Sequence, residues 1–475
     1  MTVKSQRMTR VDTAWLHMDT PANLMMIMGV LVVEPRLDYE PLCERIQQRM
    51  LQYSRFHQRV VEDAAGASWV DDEDFDIHHH VVREPLKRKR GQSSREALQD
   101  RVAELASTPL DPQRPLWQYR LVEDFDGGSV LIARFHHCIA DGIALISVML
   151  SVTDGGIAPP ARRKRPADDA DENDFWGNTV IKPMTDVLVK AIGKTGNGVV
   201  KSMDALINPQ TPVRGAVDIA RMGAQIASDV AALALMPDDS PTQLKGKPGI
   251  TKKVAWADAL PLDAVKVIGK ALNASINDVL LSCVAGAIGS YLQARGEDPS
   301  GKEIRAMVPV NLRPLDKAYQ LGNRFGLVPL VLPIGIANPV ERLYALRARM
   351  AQLKSSYQPV LAYSLLQVAG LLIKPVQQAL FSIMTKKTTA VMTNVPGPTV
   401  PLKFCGSTIN QLMFWVPQSG DIGMGVSILT YAGNVQFGLI TDSKLCPNPQ
   451  DIIDRFKPEF DQLLTLGLML PWGDE

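Results

Sequence analysis

From Phe135 to Ile143 the chain reads FHHCIADGI, an apolar run ending in two adjacent histidines with an aspartate four residues beyond the second. A neutral imidazole, with an ordinary pKa of about 6.5, is suited to taking a proton from a hydroxyl or an amine at neutral pH. The chain has seven histidines and spends two of them here. Side chains alternate along a strand, so Leu131, Ala133, Phe135 and His137 face one way and Val130, Ile132, Arg134 and His136 the other. One histidine can therefore reach a given substrate while the other is satisfied by the opposite layer. Asp141-Gly142 falls where the chain must reverse into the apolar helix IALISVMLSV, and Asp is a favoured N-cap. No GxSxG elbow is present and no cysteine has the flanking residues of a nucleophile, which makes direct attack by a bound acceptor simpler than a covalent acyl-enzyme. The residues alone leave two readings open: a base at the end of a strand, or two hydrogen-bonded core histidines beside a helix cap.

Other residues divide in the same way. Asn277-Asp278 opens an apolar helix, and Ser275 with Asp278 has capping-box spacing, so capping competes with a substrate role. Pro115 to Trp117 is read as packing, and Asn394 to Pro398, with Pro396 and Gly397, as a rigid loop that either borders a ligand channel or turns the chain. The basic runs Lys87–Arg90 and Arg162–Arg165 are solvated faces, or sites for anionic headgroups or phosphates. The triplet His78–His80, expected on a strand or loop, lacks further Cys or His, so no metal site is expected.

These residues need elements to carry them. An apolar strand is expected over Leu24–Val33, a helix over Pro41–Phe56, another over Ser94–Ala106, and a hairpin of two core strands turning at Asp126-Gly127-Gly128. The stretch after Val152, rich in Gly, Pro and charge, reads as a linker, and a helical pattern follows from about Phe175 to Met236. A second series of strands and helices begins at KKVAWADAL. At 475 residues the chain exceeds the roughly 250 to 300 that one core organises, so two domains are expected: 1–158 with the histidine pair, a linker with helices at 159–248, and 249–475. Both are α+β.

Fifty-one Lys and Arg against 50 Asp and Glu give +1, which offers no basic field for nucleic acid. Five scattered cysteines without CxxC spacing fit a reducing compartment, and the first residues show no secretory pattern, so a cytoplasmic protein is expected. The apolar stretch Leu361–Ile373 is shorter than the ~18 residues of a membrane span. Any membrane contact is expected to be peripheral, with Leu361–Ile373 supplying exposed apolar side chains beside the basic runs.

HHCIADG at His136–Gly142 matches the HHxxxDG motif of the coenzyme A-dependent acyltransferase superfamily, and the chain around it resembles the bacterial wax ester synthase/diacylglycerol acyltransferase family. The likeness extends to PLW at Pro115–Trp117, ND at Asn277-Asp278, VPVNLR at Val308–Arg313, GNRFG at Gly322–Gly326, TNVPGP at Thr393–Pro398 and PQSGDIGMGVSIL from Pro417, in family order. The resemblance implies two chloramphenicol-acetyltransferase-like sandwich domains with the active-site tunnel between them. It implies His137 as general base toward a diacylglycerol or long-chain fatty alcohol hydroxyl, acyl-coenzyme A as donor substrate, and no separate cofactor. His136 would support the site, Asp141 would hold the loop through an ion pair, and Gly142, Asn277, Asp278, Asn394, Pro396 and Gly397 would border substrate. The location implied is cytoplasmic, in peripheral contact with inner membrane or lipid inclusions. A condensation-type acyltransferase using carrier-bound acyl groups is the nearest rival, although the chain has neither a carrier domain nor a DFGWG segment. A non-catalytic lipid-binding protein is the rival from another class.

Overall fold

The computed structural model describes residues 5–63, 66–156, 236–313, 321–354, 356, 358–372 and 374–470. The expected helical linker lies outside the described residues up to 235, and so does Arg162–Arg165.

A six-stranded sheet carries the histidine pair. Its order is Lys403–Phe404, Ser407–Trp415, Met26–Glu34, Gly128–His136, Trp117–Phe125, Val81–Arg83. The strand Gly128–His136 is buried at all nine positions, because both of its faces are covered. Leu131, Ala133 and Phe135 pack with Leu42, Ile46, Ala144 and Val148 from the helices Tyr39–Arg49 and Gly142–Val152. On the other face Val130 and Ile132 meet Leu98 and Val102 of the helix Ser94–Ala106, together with Trp256. The expected alternation is therefore real. The hairpin turns through Asp126 and Gly127, both at positive φ (48° and 90°), the twist that suits a two-residue connection. Gly128 must lack a side chain, since a Cβ there would lie 2.0 Å from the Val33 carbonyl oxygen.

The second sheet runs Phe325–Leu332, Ile304–Asn311, Ala390–Pro396, Met424–Tyr431, Asn434–Asp442, Lys252–Trp256, with Leu260–Pro261 also paired to Asn434–Asp442. The helices Leu262–Ala271, Ile276–Ala294, Pro339–Lys354 and Gln450–Met469 cover it through one continuous apolar core. Both halves are thus α+β sandwiches. A small sheet of Ser5–Arg7, Gly66–Asp71 and Gln58–Asp63 completes the described strands.

The expected division at residue 249 does not coincide with sheet membership. Ser407–Trp415 pairs antiparallel with Met26–Glu34 in the first sheet, from Thr408 opposite Glu34 to Trp415 opposite Met28. Without it the edge of Met26–Glu34 would leave backbone groups unpaired, and its inserted side chains extend both cores: Ile409 and Leu412 on one face, Met413 and Trp415 on the other.

The segment Leu361–Ile373 also differs from expectation. Leu361, Ala362, Leu366 and Ala369 are buried, because the helix Gln358–Ala369 packs between Phe325–Leu332 and the helix Arg10–His17. Gly326 permits this approach: a Cβ there would sit 1.9 Å from the Pro359 carbonyl oxygen. Of this segment Leu371 is exposed, while Leu466, Leu468, Met469 and Leu470 form an exposed apolar group at the end of the last described helix. Among the described residues no single helix is long and apolar enough to cross a membrane; a pair that passes by composition, Leu262–Ala271 with Ile276–Ala294, is bent by 98°. His78–His80 forms a short helix capped by Asp76, not a strand or loop, and its rings diverge toward Tyr39, Arg114 and Trp117.

One buried polar contact ties the halves together. The Lys252 ammonium donates to Asn23 Oδ1 at 2.8 Å and lies 3.6 Å from the fully buried Asp442 carboxylate, while Asn23 Nδ2 donates to the Gly420 carbonyl at 2.7 Å. Removing one member of a buried ion pair leaves the other uncompensated. Lys252→Met is expected to cost about 3 kcal/mol, measured as a lowered urea midpoint; an unchanged midpoint would show that Asp442 is satisfied without it.

Candidate active site

The sheet aims His137. His136 is the last residue of its strand and stands opposite Met26, and the next amide, that of His137, donates to the Met25 carbonyl at 2.7 Å. The chain then turns, with Ile139 N donating to the His136 carbonyl at 3.0 Å, through the fully buried Cys138, Ile139 and Ala140. Asp141 restarts regular structure as the N-cap of Gly142–Val152, its Oδ1 accepting from Ala144 N at 3.0 Å. The sharp reversal leaves the His137 ring at the edge of the sheet instead of within its layer.

Residues from two distant parts of the chain enclose that ring. Trp15 stacks on it with centroids 4.1 Å apart and planes 12° from parallel, and Phe325 lies 5.6 Å away. Its Nδ1 is 2.9 Å from Asn323 Oδ1, and Asn323 Nδ2 donates to the His137 carbonyl at 2.8 Å. Burial among these groups lowers the His137 pKa to about 4. The ring is neutral at pH 7.

His136 faces the other layer. Its Nδ1 accepts from Cys138 N at 3.2 Å, which places the ring proton on Nε2, 3.8 Å from Asp19 Oδ1. Burial opposes a charge there, Cys138 and Asp19 favour one, and the net direction is upward; a second proton on Nδ1 nevertheless requires giving up the Cys138 amide, so this geometry holds the neutral ring. Asp141 touches neither imidazole through its carboxylate. Oδ2 accepts from Arg313 Nη2 at 2.8 Å and from Arg324 N at 3.0 Å, a buried ion pair that pins the turn to the second half. Burial raises the Asp141 pKa, and Arg313 with the two amides opposes it without cancelling it.

His137, Trp15, Gly142, Phe325, Asn394 and Pro396 are among the walls of a cavity of about 280 Å³. Two apolar cavities adjoin it. One of about 110 Å³, beneath the helix Gly142–Val152, shares Gly142, Val395 and Phe414; the other, of about 50 Å³, shares Leu327, Val391 and Ser419. Sequence-predicted residues thus divide. Gly142, Asn394 and Pro396 line the site, and Asn277 stands behind it, accepting from Asn394 Nδ2 at 2.5 Å. Asp278 closes the capping box with Ser275, and Gly397 packs against Thr430, where a Cβ would meet the carbonyl oxygen at 2.4 Å; neither is in the described wall. Trp117 is a packing residue whose Nε1 donates to the Phe56 carbonyl at 2.7 Å. Among the described residues no group of three potential metal ligands occurs.

Sequence reasoning did not assign roles to Asp12, Trp15, Arg55, Arg313 or Asn323. GNRFG and VPVNLR were visible as motifs, but no spacing indicates that Asn323 meets a histidine 186 positions earlier. Asp12 and Trp15 lie on an eight-residue helix that gives no chemical signal of its own.

A family model described as the wax ester synthase/diacylglycerol acyltransferase catalytic domain matches residues 8–280, and one described as the WS/DGAT C-terminal domain matches residues 321–464. A putative diacylglycerol O-acyltransferase of Mycobacterium bovis is 28% identical over 446 residues, covering 92% of this chain and 90% of the relative. The O-acyltransferase WSD of Acinetobacter baylyi is 26% identical over 407 residues, covering 83% and 82%. Among solved structures, the wax ester synthase/diacylglycerol acyltransferase of Marinobacter aquaeolei VT8 aligns with a TM-score of 0.65 at 19% identity over 98% of this chain and 100% of that one. The first condensation domain of the CDA synthetase aligns with a TM-score of 0.57 at 14% identity over 98% and 97%; at such identities both likenesses speak to the fold. With two family models spanning most of the chain, and the histidine pair inside the catalytic one, the protein belongs to the wax ester synthase/diacylglycerol acyltransferase family.

Proposed function

We propose that this O-acyltransferase moves a fatty acyl group from acyl-coenzyme A to the hydroxyl of a diacylglycerol, a long-chain alcohol or both, making triacylglycerol or wax ester. The observation that carries the reading is His137: a buried imidazole held neutral in the wall of a cavity that adjoins apolar space on two sides. A dry, apolar surround favours the neutral base and excludes the water that would hydrolyse a thioester.

In the proposed route His137 takes the acceptor's hydroxyl proton at Nε2, which has no partner among the described residues, as the oxygen attacks the thioester carbonyl. The tetrahedral adduct expels the coenzyme A thiolate, which recovers that proton. Ester and free thiol are the products, no covalent acyl-enzyme forms, and acyl-coenzyme A enters as substrate with no resident cofactor. Thr393, Asn394 and Ser419 border the cavity and offer donors to the carbonyl oxygen. Asp141 holds the turn through Arg313 and stays out of proton transfer.

Since the acceptors and their ester products are nearly insoluble, we place the protein in the cytoplasm in peripheral contact with inner membrane or lipid inclusions. Exposed Lys87–Arg90 and the apolar Leu466–Leu470 support this reading. High-salt or carbonate washing is expected to release most of the membrane-bound protein; release by detergent alone would contradict it.

The deciding experiment incubates purified protein with palmitoyl-coenzyme A and either hexadecanol or diacylglycerol, following free thiol and resolving the lipids by thin-layer chromatography. Acceptor-independent thiol release, or none, would overturn the proposal. His137→Ala is expected to lower turnover by roughly 10² to 10⁴ while remaining folded. Because the His137 pKa lies at about 4, kcat/KM should stay level through neutral pH and fall only as that acid range is approached. An unfolded imidazole takes its proton near pH 6.5, so the folded state loses stability as pH drops from about 6.5 toward 4; a kcat/KM inflection near 6.5 in still-folded protein would contradict the assignment. Met149 lines the apolar cavity beneath the helix Gly142–Val152. Met149→Trp should therefore reduce kcat/KM for palmitoyl donors more than for acetyl donors, and equal effects would mean that no acyl chain occupies that space.

A further inference from the structure

Asp12 does not line the cavity, yet its contacts lead to the catalytic ring. It is fully buried on the helix Arg10–His17. Its Oδ1 accepts from Asn323 N at 3.2 Å and from Asn323 Nδ2 at 2.8 Å. Its Oδ2 accepts from Arg55 Nη2 at 2.8 Å, and Arg55 Nη1 donates to the Ile139 carbonyl at 2.6 Å, inside the turn that follows the histidines. A carboxylate can only accept, so the edge of the Asn323 amide that faces Asp12 must be its NH₂. The same NH₂ donates to the His137 carbonyl, and both contacts require one amide orientation. The amide oxygen is thereby turned toward His137 Nδ1, where it too can only accept. The ring proton belongs on Nδ1 and the lone pair on Nε2.

We propose that Asp12 and Asn323 form a positioning relay that decides which nitrogen of His137 serves as the base, with Asp12 reaching the ring's Nδ1 through Asn323. The proposal rests on the reading of His137 as general base and adds the origin of its tautomer. A carboxylate placed directly at Nδ1 would also stabilise the imidazolium; interposing a neutral amide orients the ring without supplying that charge. The negative charge sits one residue further back, where Arg55 balances it.

The test is a double-mutant cycle on the full chain with palmitoyl-coenzyme A and hexadecanol, joined to a measurement independent of turnover. Asn323→Ala should lower kcat by about 10- to 100-fold with KM changed by no more than about twofold. Asp12→Asn should lower kcat by a smaller factor, and the double variant should be no slower than Asn323→Ala alone, since a residue that acts through another has nothing left to act on. Should Asp12→Asn fail to fold because Arg55 loses its partner, Asp12→Asn/Arg55→Gln takes its place in the cycle with Arg55→Gln as its reference, because Arg55 also holds the Ile139 carbonyl. In ¹⁵N-histidine-labelled wild type, the His137 resonances, assigned by their loss in His137→Gln, should show a protonated Nδ1 and a bare Nε2, and Asn323→Ala should show a mixture of tautomers. Additive losses, an unchanged kcat in Asn323→Ala, or a protonated Nε2 in the wild type would overturn the relay. Failure of the underlying reading is distinguishable, because His137→Gln would then keep its kcat whatever the tautomer.

Discussion

The role proposed for His137 requires a base that is dry and keeps a lone pair aimed at its substrate, and the contacts around the ring answer to that requirement. Burial alone lowers the basicity of His137, and an unconstrained ring in an apolar pocket would have no preferred orientation. Orientation comes instead from contacts of different kinds: the backbone grip of Met25 on the residue itself, the flat face of Trp15, and the amide of Asn323. Each is contributed by a different stretch of chain. The site therefore exists only where the two sandwiches meet, and the buried Asp141–Arg313 and Lys252–Asn23 contacts keep them registered.

Much of the local structure could be read from residue order. The period-two pattern around the histidines, the Asp126-Gly127 turn and the Ser275–Asp278 capping box are set by near neighbours, and each occurs where the residues placed it. Long-range pairing could not be read in this way. Ser407–Trp415 has the composition of a strand for either sheet, and the choice of Met26 to Glu34 as partner depends on an edge that forms only in three dimensions. The helix Gln358–Ala369 misled for a related reason: its apolar side chains answer to a strand and a helix that are distant in sequence, and so they are buried instead of facing lipid.

The site followed the same rule. The histidine pair could be singled out because its motif is compressed into seven consecutive residues, and Gly142, Asn394 and Pro396 because they belong to motifs that border the cavity. Asn323 stood in a visible motif without a visible purpose, since an amide becomes an orienting group only when a ring nitrogen is placed against it. Asp12 was more obscure still. No motif marks it, yet its carboxylate lies wholly inside the protein.

The pairing of Met26–Glu34 with Ser407–Trp415 also has a bearing on how the chain matures. A strand made near the start of synthesis must wait for a partner made nearly four hundred residues later, and contacts of such separation close slowly and late. The groups that orient His137 arrive on a similar schedule, because Asn323 and Phe325 follow it by almost two hundred residues. An incomplete chain thus holds the histidine without the surroundings that keep it dry and aimed. Competence for acyl transfer and completion of the fold are therefore coupled.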